Sequence, residues 1–584
     1  MSSLDLVVRG GTVVDGTGAA PRVADVAVAD GVVVEVGKVA GRGRREIHAD
    51  GAIVAPGFVD AHTHYDGQAV WDDRLQPSSW HGVTTVVTGN CGVGFAPVLP
   101  QHRDLLIELM EGVEDIPGTA LYEGITWEWT SFDDYLSALE RRPRDLDLAT
   151  QVPHAALRFY AMGERAAAFE QASPDEIELM ARLARDAVLS GALGFSTSRT
   201  LAHKTKAGAV TPVYGTAEQE LTAIAAAIGG TGRGVLQLIT DFPDVAEDMA
   251  LLRGMASASG RPVTVSLFQT RERPELYRQI LDELSAANAD GLRLTGQVAC
   301  RGIGALMGLH CPVHPLVANP VWLAMSHLPV PEQARRMSDP LVRQEILAAQ
   351  TDAKRPDLIG GMRIDRFEWM FPLGELTPDY EPKASESLAA QAAATGRDPL
   401  DLAYDILISD DGQGFIHQPF ANYAYGSLDA AREMMVHPNT VPGLGDGGAH
   451  VASICDSSFP TTLLQHWVRD RDHDRLDLAY VVQQQARDTA RSVGLLDRGV
   501  LLPGYRADIN VIDLDGLRLH CPRMAYDLPA GGKRLLQRAD GYLHTFVAGV
   551  QTYQDGESTG ALPGRVVRGP QAARGTDRSG GSHG

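Results

Sequence analysis

Two histidines one residue apart sit in the segment GFVDAHTHYD, residues 57–66, behind a β-leaning apolar run of Ile53, Val54, Phe58 and Val59. In a strand alternate side chains share a face, so His62 and His64 point one way and Thr63 the other. Neutral imidazole is a ligand for zinc and similar ions, and such a pair places two donors on one metal. Cys91, in TGNCG, lies between glycines that permit a tight turn aiming its thiol. Cysteine and histidine are both good zinc ligands. Asp446, in GLGDGGAH, offers a carboxylate that can join the metal site, take a proton from a bound water and pass it to a leaving amine. Each residue also has a plainer reading: polar groups at a loop start, a small buried hydrophobe, an Asp-Gly turn. What favours the site is that all four fall at the ends of expected strands.

Six further residues could line the same mouth and meet substrate: His154, Ser198, Arg199, His203, Arg301 and His450. Arg199 or Arg301 could pair with a substrate carboxylate, and a structural or solvated arginine is equally open for either. The CPVH pair, Cys311 and His314, lacks a second half and reads as structural.

Short apolar runs that alternate with helical patterns must position these groups. IVAPGFVDAHTH comes first, followed by runs at 82–92, 148–154, 191–198, 234–242, 261–269, 292–301 and 440–450. Eight strands with intervening helices predict an α/β fold with a (β/α)8 TIM-type barrel, whose catalytic groups sit at the C-terminal strand ends. Helices are expected at 174–190, with Ser173 as N-cap, and at 216–229. Residues 1–56 and 497–568 carry β-type runs and glycine turns, which predicts a small β-sandwich built from both termini around a catalytic barrel at 57–496. The stretch of about 310–435 is too long for a barrel loop and reads as a mostly helical insertion over the mouth. Residues 569–584 lack apolar periodicity and read as a disordered tail.

The protein has 584 residues and a net charge of -22, which argues against nucleic acid or an anionic membrane as partner. Its 5 cysteines show no CxxC spacing, so a disulfide framework is not expected and the sequence reads as cytoplasmic. The N-terminus has no signal-peptide pattern and no run is long enough to span a membrane. Self-association into a homo-oligomer is left open.

Taken together, GFVDAHTHYD, GVTTVVTGNCGVGFAPV, GALGFSTS, GLGDGGAH and GVLLPGYRADINVIDLD resemble the amidohydrolase superfamily, and more closely its N-acyl-D-amino-acid deacylase (D-aminoacylase) branch. The resemblance covers both terminal β-segments and most barrel strands. It implies a β/α barrel with a β-sandwich from the termini, zinc at the mouth, and hydrolysis of the amide on the acyl nitrogen of a D-amino acid. It makes His62 and His64 the HxH ligands, Cys91 the cysteine ligand and Asp446 the catalytic aspartate. It also implies ligand histidines after strands 5 and 6, yet no histidine occurs between His203 and His310. Gln237 and Gln269 stand there as neutral oxygen donors, poorer for zinc than imidazole. One Zn2+ per molecule is therefore expected, with other divalent metals accepted by a similar set. The expected substrate is a small N-acyl amino acid or peptide-like amide. A cyclic amide or imide, or a larger natural-product scaffold, is the alternative within enzymes, and an inactive binding or assembly barrel is the alternative outside them.

Overall fold

The computed structural model describes residues 4–349, 364–374 and 376–573. Eight parallel strands run in the expected order: Phe58–Asp60, Val83–Thr88, Asp147–Thr150, Gly194–Arg199, Val235–Thr240, Val263–Leu267, Leu294–Val298 and Thr440–Pro442. They are numbered one to eight below. Strands one to three pair in one sheet, and strands four to eight in another. Val152–Pro153, one residue beyond strand three, pairs with strand four and links the two sheets. At the other side, Thr63 bridges Gly447, His64 N donates to Gly447 O at 2.8 Å, and Asp446 N donates to His62 O at 3.1 Å.

These strands form because they can be buried on both faces. All six residues of VTTVVT in strand two are buried, and helices cover the outside, as parallel sheets require. Helix Pro174–Ser190 starts at Ser173 with a capping box to Glu176 and sets Ile177, Met180, Ala184, Ala187 and Val188 inward at helical spacing. The next expected helix begins slightly later, as Glu218–Gly229.

Strands from both termini share one nine-stranded sheet. Ile509–Ile512 pairs antiparallel with Ile53–Pro56, so Val511 lies opposite Val54. Leu6, Val8, Val26, Val28, Val54, Ile509, Val511 and Phe546 form its apolar core. The sharp turn at Asp30-Gly31, with φ of 52° and 73°, sits between two antiparallel strands, where left-handed turns match strand twist.

The expected insertion contains helices Pro320–Leu323, Val330–Met337, Pro340–Ala348, Leu388–Thr395 and Pro399–Gly412. Its strands Ile416–Ala421 and Phe371–Pro372 join Ile303–Met307, just ahead of it, in a small antiparallel sheet that helical periodicity did not foretell. The insertion has its own core around Trp322, Met337, Tyr404 and Leu407. Residues 350–363 of it lie outside the described residues. His314 packs edge-on to Trp322, in keeping with a structural CPVH pair.

The segment expected as a tail is attached at its start. Gly569 N donates to Gly191 O at 2.7 Å and Gln571 N to Gly494 O at 3.0 Å, while 574–584 lie outside the described residues. Among the described residues, no helix is long and apolar enough to cross a membrane.

Candidate active site

Strand one delivers the two histidines as its period requires. Thr63 N donates to Val87 O at 3.0 Å and its hydroxyl donates to the same oxygen at 2.8 Å, which turns Thr63 outward and leaves His62 and His64 inward. Cys91 follows strand two in a left-handed conformation, φ 55°. Its N–H donates to Gln237 Oε1 at 2.9 Å, and Gly92 N donates to Ser196 Oγ at 2.9 Å, so strands four and five hold the turn. A Cβ on Gly92 would lie 3.0 Å from Thr197 Cα, which is why this corner needs a glycine. Asp446 and His450 also adopt left-handed conformations, φ 46° and 47°, in the loop after strand eight. That geometry is strained for residues other than glycine, and such strain gathers at functional sites.

The four groups converge. One donor atom each from His62, His64 and Cys91 lies within 4.8 Å of the others. His62 Nε2 is 3.2 Å from Cys91 Sγ and 3.5 Å from Asp446 Oδ1, and His64 Nε2 is 3.7 Å from the same oxygen. The imidazoles are 1% exposed, while the Asp446 side chain is 19% exposed and faces a narrow cleft lined also by Gln68, Gly448, Asp456 and Arg534.

Groups that the sequence did not mark orient the imidazoles. Gln297 in strand seven accepts from His62 Nδ1 at 2.7 Å, and its own amide N–H donates to Thr264 Oγ1 at 3.3 Å, which fixes the carbonyl end toward the ring. His62 Nε2 therefore keeps its lone pair for the site. His64 Nδ1 lies 3.2 Å from Glu114 Oε1. Buried Asp60 accepts from His62 N at 3.1 Å, and burial pushes its carboxyl up to about 8. A polar residue inside an otherwise apolar strand was the available signal for Gln297. Glu114, in the loop after a helix, carried none.

The electrostatics suit a cation. Burial lowers His62 and keeps it neutral, the form that binds metal. Burial pushes the Cys91 thiol up to about 12 against the pull of His64, so a thiolate here needs a positive charge beside it. Burial disfavours charge on His64 too, yet the Glu114 carboxylate and Asp446 raise it well above its ordinary value, so the surroundings of this ring call for a positive charge that a bound cation would supply in place of the proton. Burial opposes the charge on Asp446, but the neighbouring His64 and His62 hold it well below the usual carboxylate range. Two imidazoles, a thiol and a carboxylate with converging donors thus fit a divalent metal on the chemistry of the set.

The remaining expected residues divide. Ser198 Oγ lies 3.0 Å from His203 Nδ1, and burial, with His450 and His64 adding to it, pushes His203 down to about 3, so a neutral imidazole stands at the mouth. His450 Nε2 lies 3.7 Å from Glu114 Oε2. The other three, expected at the substrate, have partners within the fold. His154 bonds Thr197 Oγ1 at 2.8 Å and Glu220 Oε1 at 2.7 Å, so both ring nitrogens are occupied. Arg199 donates to Thr216 O at 3.0 Å. Arg301 is committed to Asp456, Ser458, Thr462 and the Cys455 carbonyl, and stacks 3.8 Å over Tyr380. Of the two glutamines, Gln237 reaches Cys91 through its backbone N–H, whereas Gln269 Oε1 accepts from Ala424 N at 3.0 Å and serves the end of the insertion.

A family profile described as "Amidohydrolase family" matches residues 45–553. An N-acyl-D-glutamate deacylase of Alcaligenes xylosoxydans xylosoxydans is 27% identical, across 97% of this chain and 96% of that one. A solved D-aminoacylase structure, concerned with the role of its binuclear metal centre, superposes with a TM-score of 0.65 at 24% identity over 97% of this chain and all of that chain. An N-acyl-D-glutamate deacylase from Bordetella bronchiseptica, solved with zinc and a phosphonate inhibitor, gives a TM-score of 0.62 at 23% identity, with 97% and 100% covered. At these identities the two structures speak for the fold.

Proposed function

We propose, from the premise that the chain belongs to the amidohydrolase family, that it is a metal-dependent hydrolase releasing the acyl group from an N-acyl-D-amino acid. The observation that carries this reading is the convergence of His62, His64 and Cys91 beside Asp446 at the C-terminal ends of strands one, two and eight. The pairing of Val152–Pro153, just beyond strand three, with strand four and the Thr63–Gly447 bridge support one closed barrel, with the terminal sheet as the β-sandwich.

His62, His64 and Cys91 would hold one divalent ion, with Asp446 at its side. The thiol and imidazole donors favour zinc over the harder magnesium or calcium. When bound, the ion supplies Lewis acidity toward the scissile carbonyl and acidifies the attacking water. Asp446, ionised and turned to the cleft, receives the water proton on its carboxylate and delivers it to the departing amide nitrogen. His203, held neutral, and His450 line the approach and can hydrogen-bond the amide or the carboxylate of the substrate. The substrate is a small molecule, and the net charge of -22 disfavours nucleic acid.

Elemental analysis of the purified protein, alongside steady-state hydrolysis of N-acetyl-D- and L-amino acids and of cyclic amides, tests the reading. It expects one metal per molecule, lost in His62→Ala, and a preference for the acyclic N-acetyl-D-amino acids. Preference for the cyclic amides would move the substrate class, and a protein without metal or turnover would leave an inactive binding barrel.

A further inference from the structure

Glu114 has no part in the proton transfers above, yet its carboxylate is 1% exposed. A glutamate is almost never buried to that degree unpaired. It directly follows helix Arg103–Val113, and its N–H closes the last turn on Met110 O at 3.0 Å. Its carbonyl accepts from His450 N, and the adjacent Asp115 accepts from Ser453 Oγ at 2.7 Å. The end of this helix is thus tied to the loop that carries Asp446. Oε1 then stands 3.2 Å from His64 Nδ1 and Oε2 stands 3.7 Å from His450 Nε2. Neither Oε1 nor Nδ1 has a hydrogen-bond partner among the described residues, so two buried polar atoms face each other with nothing else to satisfy either.

We propose that Glu114 is the positioning residue of His64: its carboxylate faces Nδ1 and holds the ring proton there, so that Nε2 presents its lone pair to a metal shared with His62 and Cys91. The inference rests on the metal site of the proposed function and extends it to a residue outside the ligand set. It makes the two imidazoles unequal. His62 leans on the neutral amide of Gln297, whereas His64 leans on a full negative charge, which makes it the more basic donor. The dependence runs both ways, because an ionised carboxylate this deeply buried needs positive charge within reach. A bound dication supplies it through the ring.

The test compares wild type with Glu114→Gln, which keeps the shape and removes the charge, and Glu114→Ala, which removes both. Each protein is loaded with zinc and titrated against a competing chelator, and a cobalt-substituted sample is read by visible spectroscopy. Both variants should bind metal about 10- to 100-fold more weakly, Gln less affected than Ala. Saturating stoichiometry and the thiolate-to-cobalt band from Cys91 should persist. Equal affinity in wild type and Glu114→Gln would overturn the proposal, as would a cobalt spectrum showing that a ligand has been lost, since Glu114 would then bind the ion itself. The Gln variant preserves packing and stands in if the Ala variant does not fold. A wild type that takes up no metal would instead defeat the proposed function.

Discussion

Two buried histidine–carboxylate clusters occupy the same end of the molecule and differ in one respect. Around His154, both ring nitrogens, both Glu220 oxygens and Arg158 Nη1 are used: Glu220 accepts from Arg158 at 2.6 Å on each oxygen and bonds His154 at 2.7 Å. Around His62 and His64 the distances are longer, and His64 Nδ1, Glu114 Oε1 and His450 Nδ1 have no hydrogen-bond partner among the described residues. In the His154 cluster no ring nitrogen and no carboxylate oxygen is left to offer a ligand. Buried polar groups left unpaired cost free energy unless something completes them. The difference teaches that residue type and burial are alike in the two clusters, and that the state of their hydrogen bonds is what sets them apart.

The comparison can be broken most sharply at Asp446. Asp446→Asn should cut turnover by about 100- to 10,000-fold while metal content stays at the wild-type value, as read by steady-state kinetics and elemental analysis. Undiminished turnover would take Asp446 out of the mechanism. The saturated cluster should behave in the opposite way. Glu220→Ala strands Arg158 and His154 without their carboxylate and should lower unfolding free energy by about 3–5 kcal/mol in denaturant titration, with metal content unchanged. If that variant lost its metal instead, the two clusters would be one unit and the contrast would fail.

A finer cut separates the two orienting groups. Gln297→Leu removes the neutral partner of His62 and should weaken metal binding by about 10-fold in chelator competition. An unaffected affinity would show that strand geometry alone orients the ring. The smallest effect concerns the attachment of the insertion. Burial works against the charge on Glu381, but its bonds to His466 at 2.7 Å and to Arg471 at 2.9 Å bring it down from 4.5 to about 2. A depressed carboxylate stabilises the fold above its unfolded value and loses that contribution as pH falls through its folded value. Wild type should therefore lose stability relative to Glu381→Gln between about pH 4.5 and pH 2, seen as converging thermal midpoints. Parallel curves would deny the ion pair any role.

Much of this architecture was legible in the residues. Alternation in GFVDAHTH placed both imidazoles on one face, and the apolar runs located all eight parallel strands, because burial on both faces leaves an unmistakable composition. The Ser173 cap and its helix were equally clear, since a capping box is local chemistry. Gly-flanked Cys91 and the Asp446 loop could be placed at strand ends for the same reason. Arg301 was open to two readings because an arginine reads alike whether it awaits a carboxylate or already holds Asp456 across a long sequence separation. His154 reads alike for the same reason, as its partner Glu220 lies far along the sequence.

The sequence alone determined the candidate donor residues, their faces and the strand order, all consequences of local spacing. Only the tertiary structure decided which nitrogen of each imidazole stays free, since that depends on Gln297 and Glu114 arriving from remote elements. Hydrogen bonds are directional and short, so a partner's identity is settled by where the fold brings its atoms.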